Sequence, residues 1–150
     1  MADILHRIGA QASVADVYTA LTTIEGLAGW WTEDTTGDPA PGGVIRFRFR
    51  GAPEPGGFDM QVLKAEPDQR VLWEVVAGPD EWIGTHVEFE LAQDEEYAVV
   101  LFRHLGWSEP VEFMHHCSTK WATFLMSLKK LVETGTGEPA PHDVRVSNWH

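Results

Sequence analysis

A chain of 150 residues, 43% hydrophobic and 23% charged, has the size and composition of one globular domain, which excludes disordered, collagen-like and membrane classes. At that length folding buries roughly 70% of the surface of the extended chain, enough for a sizeable core. The formal net charge of -12 repels phosphate backbones and anionic membranes, so neither nucleic-acid binding nor membrane insertion is expected.

The one cysteine, Cys117, excludes an internal disulfide and fits a reducing cytoplasm. Met1 to Arg7 shows no basic region followed by an apolar run, and no stretch approaches the ~18 apolar residues of a spanning helix, so a cytoplasmic location is expected.

In chain order, Ile4 to Ile8 reads as a first strand ending at Gly9. Ser13 is placed to cap a helix with Asp16 three residues on, and Val14, Val17, Tyr18 and Leu21 recur at helical spacing. A second short helix is expected from about Thr23 to Gly29, followed by Trp30 and Trp31 and then a loop marked by Gly37, Pro39, Pro41, Gly42 and Gly43.

The period then changes to 2, the signature of strands with one buried face. Ile45, Phe47 and Phe49 are expected inside, with Arg46, Arg48 and Arg50 outside. Phe58, Met60 and Val62 form the face of the next strand, and Val71, Trp73 and Val75 that of the one after the Pro67-Asp68 turn. Val87, Phe89 and Leu91 alternate with His86, Glu88 and Glu90, the last two expected in solvent. Tyr97 to His104 follows the turn at Asp94-Glu95-Glu96 and is apolar at both parities, so pattern does not fix its facing.

From about Glu109 helical spacing returns through Phe113, Cys117, Trp121, Phe124, Leu128 and Leu131, with Gly135 as cap. The ~24 residues of this helix span about 36 Å at 1.5 Å per residue, enough to cross a sheet. Residues 136 to 150 form a tail or a strap docked through Val144, Val146 and Trp149 over its own domain or over a partner's, which makes a homodimer one expectation. The domain is therefore residues 1 to 135, an α+β unit in which a curved antiparallel sheet wraps a long C-terminal helix, with two short helices after the first strand.

Ala20-Leu21-Thr22, Gly29-Trp30-Trp31, Gly43-Val44-Ile45-Arg46-Phe47, Trp73, His104-Leu105-Gly106-Trp107, Trp121 and Ser127-Leu128-Lys129, in this order, resemble the START-like helix-grip (SRPBCC) superfamily. The likeness is to its stand-alone branch named after the activator of the heat-shock-protein ATPase, the AHSA-type domains, and covers about residues 3 to 134. It implies a hydrophobic cavity between sheet and long helix, used across the superfamily for lipids, polyketides, hormones and other apolar molecules by binders and enzymes alike. The turn at Asp94-Glu95-Glu96 departs from the branch, where it is usually Gly-Gly-Thr-like.

Seven tryptophans favour an aromatic-lined pocket over mere core filler. Inward parity and the helix face select Trp31, Phe47, Met60, Trp73, Phe102, His104, Phe113, Cys117 and Trp121 as its lining. The N-terminal half of the long helix is expected to meet a ligand, and its half from Phe124 to Val132 to serve packing. His104 is the candidate for acid or base chemistry, against the plainer reading of a strand-end histidine bonded to a backbone carbonyl. His86, His104, His115, His116 and Cys117 lack metal-ligand spacing, and no HExxH, CxxC, GxSxG, P-loop or GxGxxG sequence occurs, so no metal and no cofactor is expected. Cys117 reads as apolar filler rather than a nucleophile.

Three functions follow. The first is binding of an apolar or aromatic small molecule. The second is a polyketide cyclase or dehydratase chemistry with His104 enolising the substrate, and the third is stimulation of a chaperone ATPase through the acidic surface.

Overall fold

Seven strands form a single antiparallel sheet in the order β1-β7-β6-β5-β4-β3-β2 in the computed structural model, which describes residues 1–49 and 56–150. The strands are β1 (Ala2–Gln11), β2 (Asp34–Gly37), β3 (Val44–Phe49), β4 (Gly56–Glu66), β5 (Arg70–Ala77), β6 (His86–Asp94) and β7 (Tyr97–Trp107), and the helices α1 (Val14–Thr22), α2 (Ile24–Trp30) and α3 (Glu112–Thr134). This is the helix-grip arrangement. Arg50 lies outside the described residues.

Local chemistry sets the helices. Ser13 Oγ accepts the Asp16 N–H at 3.1 Å, capping α1. Thr23 closes α1 and opens α2, its Oγ1 accepting the Gly26 N–H at 3.0 Å. Gly26 is required where the two helices touch, because a Cβ there would stand 2.6 Å from Ala20 Cα. The long helix starts at Glu112, three residues later than the periodicity suggests, after Pro110 has held the chain extended. It ends on Gly135 at φ 88, whose N–H bonds Leu131 O at 2.7 Å.

Strand parity places the core. Ile45, Phe47, Met60, Val62, Val71, Trp73, Val75, Val87 and Phe89 are all buried on the face toward α3. Ala98, Val100, Phe102 and His104 are the buried side of β7, which settles the parity that alternation left open. Register slips at Asp59/Met60 and Val62/Lys64 bend β4 against β5, the curl that lets the sheet follow the helix. At the β6–β7 turn Glu95 takes φ 55, the left-handed conformation that glycine adopts more readily.

Two expectations need correction. Asp34–Gly37 is a strand, not loop, because its backbone pairs with β3 from Asp34↔Arg48 to Gly37↔Ile45 although its side chains carry no apolar alternation. Glu88 is buried rather than solvated, since on the outer face of the sheet it bridges Arg70 of β5 (Nε to Oε2, 2.5 Å) and Arg103 of β7 (2.7 Å). Burial alone would push its carboxyl up, but the hydrogen bonds and charges of Arg103 and Arg70 outweigh that and hold it below the usual glutamate range.

Glu88→Gln is expected to lower the unfolding free energy by about 1–3 kcal/mol at neutral pH, nearer the lower figure because both arginines are partly exposed. A carboxylate with a depressed pKa stabilises fully above its ordinary value of 4.5 and loses that contribution as pH falls through its folded value. Urea unfolding at pH 7 and again below pH 4 therefore shows the variant's deficit shrinking in acid.

Candidate functional site

Between the open end of the sheet and the first turns of α3 lies a cavity of about 400 Å³. Its inner wall is the α3 stripe Phe113, His116, Cys117, Lys120, Trp121 and Phe124, six positions repeating at three- and four-residue intervals. Trp31 after α2, Phe49 of β3, Phe58 of β4 and Trp82 from the β5–β6 connection face it. The fourth wall is the C-terminal strap, through Ala140, Asp143, Trp149 and His150.

The walls are mostly aromatic rings in mutual contact. Trp31 lies 4.9 Å from Trp121, Phe58 stacks on Trp82 at 4.0 Å, and Trp82 stacks on Trp121 at 5.8 Å. Among the described residues lining the cavity, Trp82 has a buried indole N–H whose one neighbour able to accept is the Cys117 sulfur, too poorly placed for a full hydrogen bond.

The strap docks, through polar contacts as well as through Trp149. Ala140 pairs with the chain beside Trp31, its N–H bonding Trp31 O at 2.8 Å and its C=O accepting the Glu33 N–H at 3.0 Å. Asp143 forms an ion pair with Lys120 of α3 and lies 3.2 Å from His150 Nε2. Ser147 Oγ meets His116 Nδ1 at 2.8 Å, and Trp149 rests edge-on against His116 at 5.5 Å. Val144 is exposed, whereas Trp149, about half exposed, docks as expected with its ring also 6.4 Å from Phe113, so the distal strap is held by Trp149 together with polar contacts.

Of the nine residues selected from sequence, Trp31, Phe113, Cys117 and Trp121 line the cavity. Phe47, Met60, Trp73, Phe102 and His104 lie beneath it, fully buried in the core. The large rings themselves cause the division: Trp31, stacked at 6.2 Å on Trp73, and Trp121, at 4.5 Å from Phe102, fill the space above the sheet centre. Phe124, expected to serve packing only, also reaches the cavity. Lys120 and His116 were legible as polar residues on an otherwise apolar helix stripe, whereas nothing in the spacing of residues 136–150 announces Asp143 or His150 as wall.

His104 is bonded to side chains, not to a backbone carbonyl. Trp121 Nε1 donates to His104 Nδ1 at 3.2 Å, which leaves Nε2 to carry the proton and donate to Thr85 Oγ1 at 2.8 Å. Thr85 in turn donates to Trp82 O at 2.5 Å. Each bond in this relay has one direction, and the imidazole and the Thr85 hydroxyl each both donate and accept. Burial keeps the imidazole neutral, pulling its pKa down to about 3, and pushes the Cys117 thiol up to about 12. No group of three or more metal-ligating side chains converges among the described residues.

Since the native state refuses a proton at His104 that the unfolded chain accepts below pH 6.5, stability is full above that pH and declines from 6.5 toward 3. The expected slope approaches 1.4 kcal/mol per pH unit for one proton, with burial of His116 adding a smaller share. Between pH 6.5 and 5, where Glu88 still contributes fully, His104→Asn should flatten the pH dependence of urea unfolding even though it is less stable throughout.

Comparison with known proteins places this architecture. A search of curated proteins found no match. Among solved structures, the solution structure of the Aha1 dimer from Colwellia psychrerythraea is 46% identical, covering 91% of this chain and 100% of that one with a TM-score of 0.81. CalU16 from Micromonospora echinospora, 21% identical, covers 99% of this chain and 75% of its own at a TM-score of 0.76. DynU16, a protein in the dynemicin biosynthetic locus, is 21% identical over 90% of this chain and 48% of its own at 0.73. At 21% identity these last two share the fold alone. The model of the Activator of Hsp90 ATPase homolog 1-like protein family matches residues 11–133, and the chain belongs to that family.

Proposed function

We propose that this chain is a cytoplasmic binder of an apolar or aromatic small molecule, held in the cavity between α3, the sheet end and the strap. The observation that carries the reading is the cavity itself. Its volume of about 400 Å³ suits a drug-sized molecule, and Trp31, Phe58, Trp82, Phe113, Trp121 and Phe124 offer ring faces and edges at which a flat apolar ligand loses its water-exposed surface.

A polyketide cyclase or dehydratase chemistry has weaker support. His104 has both nitrogens engaged, is neutral and lies beneath the cavity wall, while the Cys117 thiol stays protonated. A second reading rests on the family, whose name refers to activation of an Hsp90 ATPase, and on the dimeric relative. On that reading the acidic surface meets a chaperone, and a second copy of this chain is a partner.

The cavity is tested with N-phenyl-1-naphthylamine, an uncharged dye that fluoresces in apolar sites. Wild type should bind it, and native mass spectrometry of freshly purified protein should show a retained small molecule. Cys117→Trp, which fills the cavity from its inner wall, should abolish dye binding while lowering the melting temperature by several degrees, about 1–3 kcal/mol, and leaving the protein folded. Absence of binding by folded wild type defeats the reading.

The chaperone reading has its own measure. An Hsp90 ATPase rate that rises on adding this protein, and rises equally with Cys117→Trp, assigns function to the surface instead. Sedimentation of the purified chain at micromolar concentration should give the mass of two copies if it assembles as the relative does.

A further inference from the structure

We infer that the cavity selects planar aromatic molecules carrying an acidic group, and that Lys120 receives that group in place of Asp143 of the strap. The inference rests on the small-molecule reading above and adds to it the ligand's charge.

Lys120 is the only lysine or arginine among the described cavity-lining residues. It stands in the middle of the aromatic stripe of α3, with Nζ 5.0 Å from the centre of the Phe124 ring and its side chain 14% exposed. An ammonium so enclosed needs an anion, because desolvation without a partner costs several kcal/mol or more. The sheet and helices do not supply one. The partner is Asp143, 95% buried, which arrives on a segment without helix or strand, together with Val144 O at 3.0 Å from Nζ.

The two halves of this ion pair are held differently. Lys120 rides on the third turn of a 23-residue helix packed along β1 and α2. Asp143 lies three residues past the Ala140 anchor, and beyond it the strap is held to α3 by the Ser147–His116 bond and by the contacts of Trp149 with Phe113 and His116. A carboxylate or sulfonate on a ligand in the cavity can make the same bond to Nζ while its rings lie on the aromatic walls. The exchange conserves the buried ion pair, returns Asp143 to water and adds apolar contact.

A cationic ligand has no equivalent exchange. Asp143 already serves Lys120 and faces His150, and an entering cation would share that carboxylate with an ammonium it repels. His116 and His150 line the same cavity and supply no negative charge for a cation. A neutral aromatic molecule fits the rings but leaves the Lys120–Asp143 pair as it is.

Two dyes with the same ring system separate these cases: N-phenyl-1-naphthylamine, which is neutral, and 8-anilino-1-naphthalenesulfonate, which adds one sulfonate. Asp143→Asn should raise affinity for the sulfonate dye about fivefold, and Lys120→Met should lower it about tenfold, the scale of one partly buried ion pair, with the neutral dye changed less than about twofold by either. Circular dichroism confirms folding, and Lys120→Gln replaces Lys120→Met if the latter unfolds. A sulfonate-to-neutral affinity ratio that is the same in wild type and both variants overturns the inference and leaves the binding reading intact. Failure of wild type to bind the neutral dye overturns the binding reading instead.

Discussion

The indole of Trp31 is the contact on which this fold turns. It lies 4.2 Å from Phe47 and 5.9 Å from Phe58 on the sheet, 4.9 Å from Trp121 and 6.4 Å from Phe124 on α3, and it stacks within 3° of parallel to Trp73. Aromatic contacts of this kind add about 0.5–1.5 kcal/mol each beyond the area they bury, so one side chain ties three layers together. The seven-residue helix that presents it is too short to persist alone. It is held by close approach, with Gly26 against Ala20 of α1 and Gly29 against Leu131 of α3.

The same residue decides where empty space remains. Below Trp31 the interior is filled by Phe47, Trp73 and Phe89, and His104 completes it through bonds to Trp121 and Thr85. Above it the rings of Phe58, Trp82, Trp121 and Phe124 leave a gap, although β3 and β4 stay paired as far as Phe49↔Gly56. The cavity thus follows from ring size rather than from the length of the strands. Its wall carries a cost, because the buried Trp82 indole N–H finds only the Cys117 sulfur, a weak acceptor, and a poorly satisfied buried donor costs up to about 1–3 kcal/mol.

Much of this was legible in the residues. Helical spacing from Phe113 to Leu131 and alternation in β3, β5 and β6 named the core because both patterns bury one face and one face only. Alternation could not resolve β7, whose outward Val99 and Leu101 are apolar too, and it could not see β2, which is held by backbone pairing. Glu88 escaped because its burial depends on arginines contributed by two other strands, a relation that no single-strand pattern contains. For the site, inward parity identified the right layer but not the right depth. Met60 and Phe102 share a face with residues near the cavity yet lie under it, since depth is set by which rings happen to stack above them.

The division between shared frame and private wall has a functional sense. The family match ends at residue 133, and the frame within it contributes Trp31, Phe58, Trp82 and the α3 stripe. The remaining wall, Ala140, Asp143, Trp149 and His150, comes from the strap beyond that limit. Frame residues are constrained from both sides, because Trp31 and Trp121 that face the cavity also carry the core, and a change that suits a new ligand endangers the fold. Of the strap residues Ala140 joins the buried core, whereas Asp143 and Trp149 meet, among the described residues, only α3 and the strap itself. A change at position 143 or 149 alters charge and shape at the cavity with small consequence for the sheet. On the proposed binding function, selectivity among ligands resides in the strap, a polar latch laid over an aromatic cavity that the fold itself requires.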